Sequence, residues 1–159
     1  MNKTRRTSIL AILLSLLSLP ALPLAAAGLL FDKMEYAARR ARLMEAVPDG
    51  AAILLGAQPV TGYAPFFQNN DLMYFSGVEI PGAVLVIDGR RKQSTLFFTM
   101  SEREARGEGL PAGLVTGTRE FTGLEQVAPA DRLSGALSQM AGQGCTWLSV
   151  VGMPVSAVW

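Results

Sequence analysis

Positions 83–87 read Ala-Val-Leu-Val-Ile, five apolar residues in succession between a Pro81-Gly82 turn and Asp88-Gly89. No polar residue alternates through that run, so a strand there has to be covered on both faces. That requirement excludes a sheet with one wet side and points to helices packed against it, an α/β arrangement. A second apolar run at 94–99 follows a short polar loop opened by Asp88-Gly89, the spacing of a β-hairpin. Just upstream, Gln68, Asn69, Asn70 and Asp71 form a row of side chains that compete for nearby backbone groups, which marks a bend. Leu72, Met73, Tyr74 and Phe75 then supply bulky apolar surface, and Gly77 closes the run. The expectation is that Tyr74 and Phe75 pack beneath the 83–87 strand, while Gln68 and Asn69 only cap a bend.

The flanking segments supply the helices. Asp32 and Glu35 have capping-box spacing, with Phe31 and Tyr36 placed as a hydrophobic staple, so a helix is predicted to start there. Met34, Ala37, Ala38, Ala41 and Met44 recur at helical spacing and form its expected inner stripe. Arg39, Arg40 and Arg42 fall mostly off that stripe and are read as a solvated face. Pro48, Asp49 and Gly50 end the helix, residues 51–55 form a short strand, and 56–65 read as loop. Arg90, Arg91 and Lys92 lie at the hairpin tip, where solvation accounts for them without a partner. Ser101 and Glu104 repeat the capping-box spacing ahead of Gly107 and Gly109. From Gly123 the pattern is helical, with Leu133, Leu137, Met140 and Ala141 in phase, until Gly142 and Gly144 break it. A last strand is expected over 146–151. The chain then stops at Trp159 without a polar tail, an ending expected of an interrupted domain rather than a finished one.

Residues 1–27 carry Lys3, Arg5 and Arg6, an apolar run from 9 to 19, Pro20 and Pro23, and Ala25 to Ala27 at the end. This is the layout of a secretory signal peptide, with cleavage expected after Ala27 and an exported, periplasmic or secreted product. A retained membrane anchor is the alternative, although the apolar core is shorter than the ~20 residues of a spanning helix. Thr4, Arg5 and Arg6 partly match a twin-arginine signal, which leaves the export route open. The remaining 28–159 is the length of one domain. Without the leader's three cations, 11 basic residues face 13 acidic ones, and no basic run is interleaved with aromatics, so nucleic acid is not an expected partner.

The chain has no His and one Cys, Cys145. An intrachain disulfide, a Cys-His pair and a zinc site are thereby excluded, and any hydrolytic centre would have to run on carboxylates. Asp71, Glu79 and Asp88 lie near the aromatic stretch, and Glu102, Glu104 and Glu108 fall along one helical segment. All six are read as solvated surface, and no residue is assigned a catalytic, cofactor-binding or metal-ligating role.

Phe67, Gln68, Asn69, Asp71, Tyr74, Phe75, Gly77, Pro81, Ala83 and the apolar 84–86 together resemble the N-terminal domain of Xaa-Pro aminopeptidases (aminopeptidase P), of the creatinase and prolidase group. The likeness runs from about Tyr36 to Gly109, with a looser tail to Val151, and takes in the tyrosine, arginine pair and leucine of the first helix. It implies a mixed β-sheet flanked by helices, and a function as part of an exported metallopeptidase that releases the residue preceding proline. In that group the chemistry belongs to a C-terminal pita-bread domain, where two Asp, one His and two Glu hold a pair of divalent ions, usually Mn²⁺. That domain is absent from these residues, so the chain alone is expected to be inactive. The resemblance also implies a homo-oligomer, a peptide substrate with proline second, and the C-terminal catalytic domain as partner. Many members carry a Trp before a Gly where this chain has Arg106, Gly107, Glu108 and Gly109. The alternative reading is a free-standing, noncatalytic peptide- or protein-binding module of the same fold, as in the large subunit of the histone chaperone FACT.

Overall fold

The computed structural model describes residues 29–150, apart from 61, 63, 64 and 112. The proposed leader and residues 151–159 lie outside that range. Helix α1 (Lys33–Ala46) leads to β1 (Gly50–Leu55), α2 (Asn70–Ser76), β2 (Val84–Asp88) and β3 (Gln93–Phe97). Two short helices follow, α3 (Glu102–Gly107) and α4 (Thr118–Thr122), then β4 (Gln126–Ala128), a 3-10 turn (Ala130–Arg132), α5 (Leu133–Gly142) and β5 (Thr146–Val150).

The five strands form one mixed sheet in the order β4-β3-β2-β1-β5. β2 pairs antiparallel with β1 and β3, while the outer pairs β1-β5 and β3-β4 are parallel. Parallel neighbours need crossovers. The one into β4 contains α3 and α4, and the one into β5 is α5, which travels from one sheet edge to the other. In register, Ala52 pairs with Ile87 and Ile87 with Ser94, so alternate residues from the central strands share a face.

That face carries Ala52, Leu54, Leu85, Ile87 and Leu96, all fully buried beneath the layer containing α1 and α2. The opposite face presents Ala51, Val86 and Phe97 to Met140 of α5. The sheet is therefore covered on both sides, as the 83–87 run requires.

The local signals hold at both capped helices. Asp32 accepts from Met34 N–H at 2.7 Å, and Phe31 packs edge-on to Tyr36 with ring centres 6.0 Å apart. Ser101 and Glu104 form a reciprocal capping box. The hairpin closes through Gly89 to Lys92, with Asp88 Oδ1 accepting from Arg90 and Arg91 N–H at 2.9 and 3.0 Å.

Several expectations do not survive. The inner face of α1 is Tyr36, Arg40 and Met44, whereas Met34 is 70% exposed. The bend read over 68–71 is replaced from Asn70 by helix, which runs to Ser76. The segment after Gly123 first makes β4, and only from Leu133 the expected helix. α4 was not foreseen.

Candidate functional site

The stretch at 66–77 is organised by side chains that reach across the fold. Gln68 Oε1 accepts from Ala57 N–H at 2.7 Å and Asn69 N–H at 2.9 Å, while its Nε2 donates to Val78 and Ile80 carbonyls at 3.3 and 3.0 Å. Asn69 occupies the N-cap position of α2 but makes no cap bond, and its Nδ2 donates instead to Leu55 O at 2.9 Å. Both residues thus tie the end of β1 and the approach to β2 to the start of α2. This corrects their reading as caps of a bend, because all their partners but Asn69 N–H are 10 to 14 residues away in sequence.

Tyr74 is also placed otherwise than expected. Leu72, not Tyr74, fills the core from α2, Phe75 is partly buried against that core, and Tyr74 is 51% exposed. The Arg39 guanidinium carbon lies 4.3 Å from the Tyr74 ring centre, 4.7 Å from Phe31 and 5.3 Å from Tyr36. Arg39 also donates to Tyr74 O at 3.0 Å and pairs with Glu35 at 3.0 Å. A cation set against three rings holds Tyr74 at the surface.

Arg40, read from sequence as solvated, is fully buried. It donates to Phe75 O at 3.0 Å and Gly123 O at 2.7 Å, and lies 3.7 Å from Glu125 Oε1. Glu125 Oε2 in turn accepts from Ser94 N–H at 2.8 Å and from its hydroxyl. Burial pushes the Arg40 guanidinium below its usual value, and Glu125 acts in the opposite direction. This network joins α1, α2 and β3 as a brace, in which Arg40 Nε alone of the guanidinium nitrogens is buried without a hydrogen-bond partner.

The six carboxylates do not converge. Glu79, Glu102, Glu104 and Glu108 are exposed and Asp71 is half-buried; Asp88 is buried and occupied by the hairpin turn. Among the described residues no three His, Cys, Asp or Glu side chains lie together. The donor set therefore does not fit a pair of divalent ions. Cys145 is a free thiol, pushed up by burial and then by Asp88. Where the resemblance implies a Trp, α3 instead carries Arg106, exposed and 3.6 Å from Glu102.

The hairpin tip is not simply solvated either. Arg90 donates to Gln143 O, Arg91 to Gln143 Oε1 at 2.9 Å, and Lys92 to Met44 O at 3.0 Å. Arg91 lines a cavity of about 400 Å³, and Arg90 and Arg91 both line a neighbouring one of about 350 Å³, each between the sheet and α5.

The family model described as "Aminopeptidase P, N-terminal domain" matches residues 36–147. The chain belongs to that family. The aminopeptidase P N-terminal domain also explains the relatives. The mitochondrial intermediate cleaving peptidase 55 of Arabidopsis thaliana is 29% identical over 111 residues, covering 67% of this chain and 22% of that protein. E. coli aminopeptidase P superposes with a TM-score of 0.57 at 28% identity, over 69% of this chain and 27% of that one. Icp55 from Saccharomyces cerevisiae gives 0.61 at 24% identity, over 78% and 31%, and shows the fold. The chain thus spans between a fifth and a third of the length of these relatives, which are larger proteins containing this domain.

Proposed function

We propose that this chain is the N-terminal domain of an exported Xaa-Pro aminopeptidase whose chemistry is carried out by a C-terminal pita-bread domain. The observation that carries the reading is the family match over 36–147 in a chain spanning only 22% to 31% of its relatives. A divalent metal pair, Mn²⁺ on the family resemblance, would supply an activated hydroxide in that other domain. The residues here would contribute a scaffold, contacts within a homo-oligomer, and a surface at the substrate entrance. Tyr74, held outward by Arg39, belongs to that surface.

Reading the gene beyond codon 159 tests the proposal: an in-frame Asp, Asp, His, Glu, Glu set is expected, and a stop codon with no such set downstream overturns it. The chain alone should show no Mn²⁺-dependent turnover of an Ala-Pro peptide; chelator-sensitive turnover that survives purification would place chemistry in this domain. The export element predicts a mature terminus at Gly28 in protein from the native host, read by mass spectrometry. An intact Met1 on membrane-bound protein would make it an anchor.

A further inference from the structure

We propose that the groove between α5 and the adjoining sheet face binds the carboxyl end of a peptide, with Arg91 and Arg132 as its anion contacts. The proposal is independent of where the metal chemistry resides. A sheet face under a helix is ordinarily apolar, yet here Gln93, Thr95 and Gln126 line the groove from β3 and β4. Opposite them α5 presents Gly135 and Ala136, and a Cβ on Gly135 would meet nothing within 4 Å. The resulting space of about 400 Å³ has the size of a small-ligand pocket. A second cavity adjoins it and shares Asp88, Arg91 and Met140 in its lining.

The charge in this groove is positive. Arg91 and Arg132 line it, and Arg90 lines the adjoining cavity, against one carboxylate, Asp88, which is buried and already accepts from two turn N–H groups, with Arg91 Nε 3.8 Å away. Asp131, next to Arg132 in sequence, is not among the lining residues. Gln143 holds one nitrogen of Arg90 and one of Arg91, and with Arg91 Nε facing Asp88 the second terminal nitrogen of Arg91 is left for a ligand. Guanidiniums bind carboxylate and phosphate alike through two donors, so the choice between them falls to the rest of the lining. A phosphate would use donors alone. Gln93, Gln126 and Gln139 offer a donor and an acceptor each, matched to peptide amides, and Val86, Phe97 and Met140 supply an apolar wall for a side chain.

The test is amide NMR on the isotope-labelled chain at low ionic strength, titrated with acetyl-Ala-Leu-Ala bearing either a free carboxylate or a C-terminal amide. The free acid is expected to shift Thr95, Gln126 and Gly135, and the amidated peptide to bind about tenfold more weakly or worse, the loss of one charge-assisted contact. Arg132→Ala, at an exposed position, should weaken the free acid by a similar factor. Gly135→Leu should block it while leaving the melting temperature no lower, since a side chain there enters open space on a helix that gains propensity. Equal binding of the two peptides, no shifts at millimolar peptide, or an Arg132→Ala chain that binds unchanged would each overturn the proposal. Inorganic phosphate competing at equal concentration would make this a general oxyanion site and overturn the peptide assignment.

Discussion

Tyr36 and Gly77 meet so closely that an ideal Cβ on Gly77 would lie 2.6 Å from Tyr36 Cζ. Gly77 ends α2 at φ 68°, with its N–H on Met73 O, and the buried Tyr36 ring occupies the space that any other residue's side chain would need. α1 and α2 are thus joined at a point where backbone packs on an aromatic ring.

Gly77→Ala is therefore expected to destabilise on two counts. The left-handed backbone costs an L-residue about 1–2 kcal/mol, and overpacking against Tyr36 adds about 1–3 kcal/mol. Urea unfolding measures the sum. Adding Tyr36→Ala should recover only the packing part, so a double-mutant cycle should show coupling between the two sites.

Arg40 gives the second prediction. Arg40→Ala removes the donor of the Phe75 and Gly123 carbonyls and the ion partner of Glu125, and empties a fully buried site, so it should cost on the order of 2–5 kcal/mol. Lys is not expected to rescue it, because a single ammonium does not reproduce a planar fork reaching Phe75 O, Gly123 O and Glu125. Glu125→Gln should be milder, about 1 kcal/mol, since the Glu125 side chain is 39% exposed and solvent screens its half of the pair. Equal losses for the two variants in thermal melts would contradict this ordering.

The capping box of α3 predicts a pH dependence. Hydrogen bonds from Ser101 backbone and hydroxyl hold the Glu104 carboxyl below its usual range. A lowered folded value means stability that is present above the ordinary carboxylate value and lost as pH falls through the folded one. The melting temperature should therefore decline more steeply in acid for the natural chain than for Glu104→Gln, the two curves converging at the lowest pH. Parallel curves would show that the Glu104 charge adds nothing to a box that Gln can also close.

What sequence showed and what it hid follow from how far each residue's partners lie. The Asp32 cap, the Ser101–Glu104 box, the hairpin and the doubly covered strand depend on neighbours within a few residues, and all four are in place. The phase of α1 was obscured because alanines fit either face and because Arg40 is buried by carbonyls 35 and 83 residues away. β4 is three residues long, too short to show a period, and is recruited by pairing with β3. The basic hairpin tip looked solvated because its acceptors, Gln143 and Met44, are distant in sequence. The groove under α5 was invisible for the same reason: its polar lining comes from three strands and a helix.

The 66–77 stretch carries the last prediction, because sequence and structure rank its residues differently. Sequence alone makes the aromatics of α2 costly to lose and Gln68 a cap worth about 1 kcal/mol. In the fold, Gln68 makes four hydrogen bonds to backbone groups at 57, 69, 78 and 80. At about 0.5–1.5 kcal/mol each, Gln68→Ala should cost roughly 2–4 kcal/mol once the weakest is discounted. Leu72→Ala, at a fully buried position, should cost about 2–5 kcal/mol. Tyr74→Ala should lose only about 1 kcal/mol, because the ring is half exposed and its main partner is the Arg39 cation. Thermal melts of the three variants decide the order. If Tyr74→Ala melts as low as Leu72→Ala, the ring supports the core, and its place in the proposed entrance surface fails. If it melts near the natural chain, the proposed entrance surface predicts that the same substitution in an enzyme carrying the catalytic domain lowers kcat/KM, and an unchanged kcat/KM removes Tyr74 from that surface.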